Sequence, residues 1–230
     1  MAIINIPYFT IFKFEIYRLF LSQFDCKTFL NLILGFMSFV AQGKRLEYSI
    51  GSTNFALVFL FIGIGSNVLF TLISLVMYIF AGNYEPHLMH ESGGIWQMML
   101  GIIALECSFG PEGSKRSLFF MEVPTLYYPL VLLALFTIIF GLREGSILFH
   151  LLPYLFSIGL GYAYGFGKLN FVKLSADRRR GLERGIMRSF TSRPDWVVGP
   201  TTDDWVMIAP TSVSSRGGSN STDVESVRLQ

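Results

Sequence analysis

The chain has 230 residues, a net charge of +2, 52% hydrophobic residues and only 15% charged ones. Soluble globular domains carry about 25% charged residues, so a soluble monomer is excluded. With no basic stripe before residue 168, so small a charge excludes a nucleic-acid binder. Two cysteines, Cys26 and Cys107, make no disulfide scaffold, and no Cys/His cluster has metal-ligand spacing, so no metal or other cofactor is expected.

Residues 1–12 are apolar but too short to cross a bilayer, and they lack the basic start and cleavage site of a signal peptide. With Pro7 and the charges Lys13, Glu15 and Arg18, residues 1–26 read as a lumenal segment lying at the interface. Charge-free runs then mark the membrane. They hold 16 residues after Lys27, 37 after Glu47, 14 after Glu91, 20 after Glu122 and 23 after Glu144. A spanning helix needs roughly 20 apolar residues. Five spans are expected, near 27–43, 55–80, 93–110, 123–142 and 146–167. Lipid admits only helices or closed barrels, and the repeated alternation of a barrel is absent, so the fold class is an all-α polytopic membrane bundle. The transmembrane domain is placed at 27–167.

Residues 168–230 form a basic, then disordered, tail. Alternating the spans puts 14 of the 18 Lys and Arg residues on the tail's side, which makes that side cytosolic. Arg178, Arg179, Arg180, Arg184 and Arg188 read as an anchor on anionic headgroups or as a dock for a cytosolic partner. Asp195-Trp196-Val197 recurs as Asp204-Trp205-Val206, so Trp196 and Trp205 are candidate partner-binding residues.

Polar groups at membrane depth are functional candidates by default. Asn31 and Ser38 lie on the first span and could bond a neighbouring helix. Ser92 precedes Gly93-Gly94 and the third span. It is either the helix N-cap or a nucleophile at the floor of a water-filled dip. On the fifth span His150, Tyr154, Ser157, Gly161 and Gly165 share one helix face. Its small-xxx-small spacing presses that face against a neighbour. If the neighbour is the third span, Ser92 and His150 could meet. A channel or transporter is disfavoured, since no inverted repeat appears.

Ordered landmarks resemble those of the rhomboid family. They are Tyr17-Arg18-Leu19-Phe20, Gly43-Lys44-Arg45-Leu46-Glu47 followed by Gly51-Ser52, and Glu91-Ser92-Gly93, the tail of a Gly-x-Ser-Gly nucleophile motif. Pro124-Thr125-Leu126-Tyr127 with Pro129-Leu130-Val131-Leu132-Leu133, and Gly161-Tyr162-Ala163-Tyr164-Gly165, are similar to the fungal Golgi-type branch. The resemblance covers residues 14–167, with the family's first span missing.

It implies an intramembrane serine endopeptidase of the secretory pathway (Golgi or endoplasmic reticulum) acting on a transmembrane protein. Ser92 would be the nucleophile, His150 the base and Asn31 an oxyanion donor. The chain also departs from the pattern. His90 replaces the motif's first glycine, and the family's second oxyanion position falls on Gly35. Aligned on its glycines, the last span puts Tyr154 in the base slot, with His150 one turn, about 5–6 Å, nearer the lumen. The alternative implied is a catalytically inactive rhomboid-like protein, or pseudoprotease, that binds membrane clients for trafficking or quality control. Tyr154 would then serve client binding, and the tail would recruit a cytosolic partner.

Overall fold

A computed structural model of the chain describes residues 3–26, 29–82, 85–111, 113–118, 121–140, 147–169, 176–185, 191, 193 and 196–197, and leaves the side chains of 30, 31, 139, 140, 147, 148, 176 and 177 undescribed. Two short helices, α1 (Pro7–Phe12) and α2 (Tyr17–Leu21), open the chain. Five long ones follow: α3 (Phe29–Ile50), α4 (Ser52–Phe80), α5 (Ile95–Ser108), α6 (Tyr128–Phe140) and α7 (Ile147–Gly165). A basic helix, α8 (Ala176–Arg184), comes last. Each of the five long helices takes up most of one charge-free window, with α3 running on past Lys44, Arg45 and Glu47 and α5 past Glu106. At 29 residues, α4 is the one described helix long and apolar enough by itself to cross a membrane.

The boundaries have local causes. Residues 44–50 carry Lys44, Arg45 and Glu47 yet stay helical, because no breaker precedes Gly51. Gly51 has φ 84°. Its N–H closes α3 on the Glu47 carbonyl at 2.8 Å, and its carbonyl takes the Phe55 N–H at 2.9 Å to open α4. A side chain would resist that left-handed conformation, so glycine makes the reversal in one residue. The fourth window begins later than expected. Residues 121–124 are not helical but form β2 (Met121–Pro124), antiparallel to β1 (Lys115–Leu118) with Arg116 opposite Val123. A 3-10 turn at Thr125–Tyr127 follows, and α6 starts at Tyr128 with Pro129 in its first turn, where a missing N–H costs nothing.

α5 is the central post. Every residue from Gln97 to Cys107 is buried, and α7, α3, α6 and α4 pack around it. The α5–α7 seam is parallel and built on glycine. A Cβ on Gly161 would fall on the Gly101 carbonyl oxygen, with Ala104 Cβ 3.1 Å away. Gly165 lies against Ser108 and Leu105, and Gly101 against Ser157. The small-residue face of the fifth span therefore meets the third span, and backbones approach closely without side chains between them. The β1–β2 hairpin is tied to the lower end of α5 by Arg116, whose Nη2 lies 3.0 Å from Oε1 of the buried Glu106.

Candidate functional site

Ser92 sits in an extended link just above α5. It is not the helix N-cap: Gly94 holds that position, with no side-chain cap. Instead the backbone of Ser92 pairs with Asn5 as an isolated antiparallel bridge. Asn5 N–H reaches the Ser92 carbonyl at 3.0 Å, and Ser92 N–H reaches the Asn5 carbonyl at 2.8 Å. Gly93 and Gly94 have φ of 130° and 98°. A Cβ on Gly93 would lie 2.7 Å from the Ser22 carbonyl oxygen, so only glycine lets the link pass so close to that chain.

The Ser92 side chain is buried in a polar layer. Its Oγ accepts from Asn5 Nδ2 at 2.8 Å and donates to Asn67 Oδ1 at 3.2 Å. Asn67 Oδ1 also accepts from Gln97 Nε2 at 3.1 Å, and Asn67 Nδ2 donates to Ser22 Oγ and the Leu19 carbonyl, both at 2.9 Å. Asn5 is equally occupied. Its Nδ2 also reaches Thr71 Oγ1 at 3.3 Å, and its Oδ1 accepts from Thr10 Oγ1 at 2.7 Å. Gln97 completes the layer by donating to Ser66 Oγ at 2.7 Å. Buried polar groups are costly unless bonded, and this set is bonded almost throughout.

The amides that could receive a developing oxyanion are also occupied. Ser92 N–H goes to Asn5, Gly93 N–H to Gln97 Oε1 at 2.8 Å, and Gly94 N–H to the Ser22 carbonyl at 2.7 Å. Arg18, buried in α2, holds the same segment from outside. Its Nη1 donates to the Ile4 carbonyl at 3.0 Å, and its Nε binds Glu15.

His150 stands near the Ser92 link but does not bond to its hydroxyl. The ring contact of His150 is edge-on to His90, 6.3 Å between centroids. His90 stacks on Phe149 at 4.3 Å, and His87 stacks on the same ring at 5.2 Å. All three histidines of the chain thus gather where α7 begins. Burial, then the neighbouring His150 and His87, push the His90 imidazole below the ordinary histidine range. The Ser92 hydroxyl faces the other way, toward the amino-terminal segment and α4. Tyr154 packs against the cluster of Leu100, Ala104, Leu133 and Ile158 between α5, α6 and α7.

The remaining candidates are scattered. The side chain of Asn31 lies outside the described residues. Gly35 is buried against the apolar side chain of Ile95. Trp196 lies beside the start of α4, where Val197 bonds to Ser52. Trp205 lies outside the described residues. Among those residues no group of three or more His, Cys, Asp or Glu is arranged to hold a metal. Sequence reasoning missed Asn5, Asn67 and Gln97, the groups that hold Ser92. A signal for Asn67 was present: Ser66, Asn67, Thr71 and Ser74 recur at helical spacing inside a run of 37 uncharged residues, and all four are buried.

Comparison with known proteins agrees with this architecture. Residues 2–181 match the family model described as eukaryotic integral membrane protein (DUF1751). The chain is also similar to Rhomboid-like protein 15 of Arabidopsis thaliana, at 27% identity over 196 residues. That alignment covers 84% of this chain and 47% of the relative, so the chain spans about half the relative's length. No solved structure matches the chain. The chain belongs to the eukaryotic integral membrane protein family, a rhomboid-like family of helical membrane bundles.

Proposed function

We propose that this rhomboid-like membrane protein is proteolytically inactive and binds transmembrane clients, passing them on within the secretory pathway. One observation carries the reading. The Ser92 hydroxyl and the three amides from Ser92 to Gly94 are all bonded to groups of the protein's own scaffold. A serine nucleophile needs a base within hydrogen-bond reach and free donors aimed at the oxyanion. Here the serine proton is committed to Asn67, and the donors are committed to Asn5, Gln97 and Ser22. Ser92 serves as a staple joining the amino-terminal segment, α4 and the link into α5.

Client binding is supported by the face that the bundle leaves uncovered. Phe29, Leu32, Ile33, Phe36, Met37 and Val40 of α3 are exposed large apolar side chains. In a bilayer they form a surface for lipid or for another protein's transmembrane helix. The charge bias supports a cytosolic carboxyl terminus. Golgi or endoplasmic reticulum residence follows from the family resemblance.

The second reading, a rhomboid serine endopeptidase, is favoured by the His90–His150 contact, which sets His150 against a histidine two residues before Ser92 in sequence. One experiment separates the two. Purified protein is treated with a serine-reactive fluorophosphonate and offered a generic rhomboid substrate. We expect no adduct on Ser92 and no cleavage, while Ser92→Ala leaves client co-purification intact. Cleavage abolished by Ser92→Ala would overturn the inactive reading.

A further inference from the structure

The tail returns to the bundle at the Gly51 turn. Val197 N–H donates to Ser52 Oγ at 3.0 Å, and the Val197 carbonyl accepts the Ser52 N–H at 3.0 Å. The Ser52 hydroxyl proton is itself given to the Glu47 carboxylate. That leaves only lone pairs on Ser52 Oγ, so it must accept, and an incoming N–H is what it can take. One residue on, Thr53 Oγ1 donates to Glu183 Oε1 at 2.6 Å, which moors α8 beside the same turn. Trp196 lies half-buried there, its Nε1 buried without a hydrogen-bond partner.

These bonds engage the Val197 backbone, so they accept any residue that carries an N–H. What selection exists comes from the neighbouring Trp and Val side chains. The sequence supplies that pair twice, as Asp195-Trp196-Val197 and nine residues later as Asp204-Trp205-Val206.

We propose that the turn formed by Glu47, Gly51 and Ser52 is a docking site for a Trp-Val segment, occupied in alternation by Trp196-Val197 and by Trp205-Val206 of the same chain. Loop closure permits the exchange. From the mooring at Glu183 the loop to the second segment is less than twice as long as the loop to the first, which lowers its occupancy only about twofold. Each exchange draws nine residues in or lets them out and uncovers one tryptophan while covering the other. The inference is independent of whether Ser92 is reactive.

The test uses the full chain in membranes, with a photo-crosslinking phenylalanine derivative replacing Trp196 or Trp205. Adducts are mapped by mass spectrometry. Both positions should cross-link within the same chain to residues 47–55, with yields within about threefold of each other. Val197→Pro removes the donated N–H, so it should raise the yield from position 205 and lower that from 196. Glu47→Gln should lower both. Val206→Pro should abolish the 205 adduct and, by removing the competitor, raise the 196 adduct about 1.5-fold. No adduct from 205 in the parent and in Val197→Pro, an adduct from 205 that survives Val206→Pro, or adducts formed only between two chains would each overturn the proposal.

Discussion

Ser92→Ala deletes one oxygen from the centre of the polar layer. Asn5 Nδ2 loses its 2.8 Å acceptor but keeps Thr71 Oγ1 at 3.3 Å. Asn67 Oδ1 loses one of its two donors but keeps Gln97 at 3.1 Å. A buried group left wholly unsatisfied costs about 1–3 kcal/mol, and here each partner is only half stripped, which sets the loss at about 1–2 kcal/mol. For a domain of this size each kcal/mol shifts Tm by about 2–4 °C, so the variant should melt about 2–8 °C lower. The assay is thermal unfolding of the detergent-solubilised protein followed by intrinsic fluorescence. A reactive serine predicts the opposite sign, since catalytic groups are held at some expense to stability and their removal is neutral or stabilising. An unchanged or raised Tm, together with a fluorophosphonate adduct on Ser92 of the parent protein, would refute the staple.

Asn5→Ala combined with Ser92→Ala in a double-mutant cycle should show coupling of about 0.5–3 kcal/mol, whereas zero coupling would mean that the two side chains act separately. Gly161→Ala drives a β-carbon onto the Gly101 carbonyl and should destabilise the bundle by about 1–3 kcal/mol, read as a lower Tm. Gly159→Ala, with nothing within 4 Å of its β-carbon, should be neutral or stabilising by up to about 1 kcal/mol. Arg116→Ala leaves Glu106 buried with only the exposed Arg45 at 4.0 Å and should cost about 3–5 kcal/mol, measured by denaturant titration. Because the His90 pKa is lowered in the folded state, the unfolded chain binds more protons between that lowered value and about pH 6.5. The packing of His87, His90 and His150 around Phe149 is therefore complete above about pH 6.5 and loosens as pH falls toward the lowered value. Amide exchange in residues 85–91 should rise on acidification, and His90→Phe should remove that pH dependence; exchange that rises equally in the variant would assign the effect to another group.

The bundle was legible because membrane helices announce themselves by missing charge. The runs after Glu47 and Glu144 hold α4 and α7, and the shortness of the run after Glu91 is the shortness of α5. The small-residue face of the fifth span was readable from spacing; that its partner is the third span came from the packing of Gly161 on Gly101. The hairpin at 115–124 was not readable, because the charge-free run opens at Val123, inside the strand Met121–Pro124, and absence of charge does not mark where a strand ends and a helix begins. The serine link was legible as a place but not as a role. Its role depends on Asn5, far off in sequence and buried in a segment whose composition suggested only surface attachment. The helical spacing of Ser66, Asn67, Thr71 and Ser74 marks a polar stripe on α4 but not its partners, so neither the commitment of the Ser92 proton nor the turning of His150 toward His90 could be read in advance.

The glycine seam between α5 and α7 also fixes axial registry. Lowering His150 to the depth of Tyr154 would require α7 to slide one turn, about 5.4 Å, along α5. Gly161 could take the place of Gly165. Ser157, however, would arrive where Gly161 now lies, and its β-carbon would meet the Gly101 carbonyl. A single carbon atom thus acts as the detent that stops this helix from travelling, and an imidazole at that depth is sterically out of reach for as long as the seam stays closed.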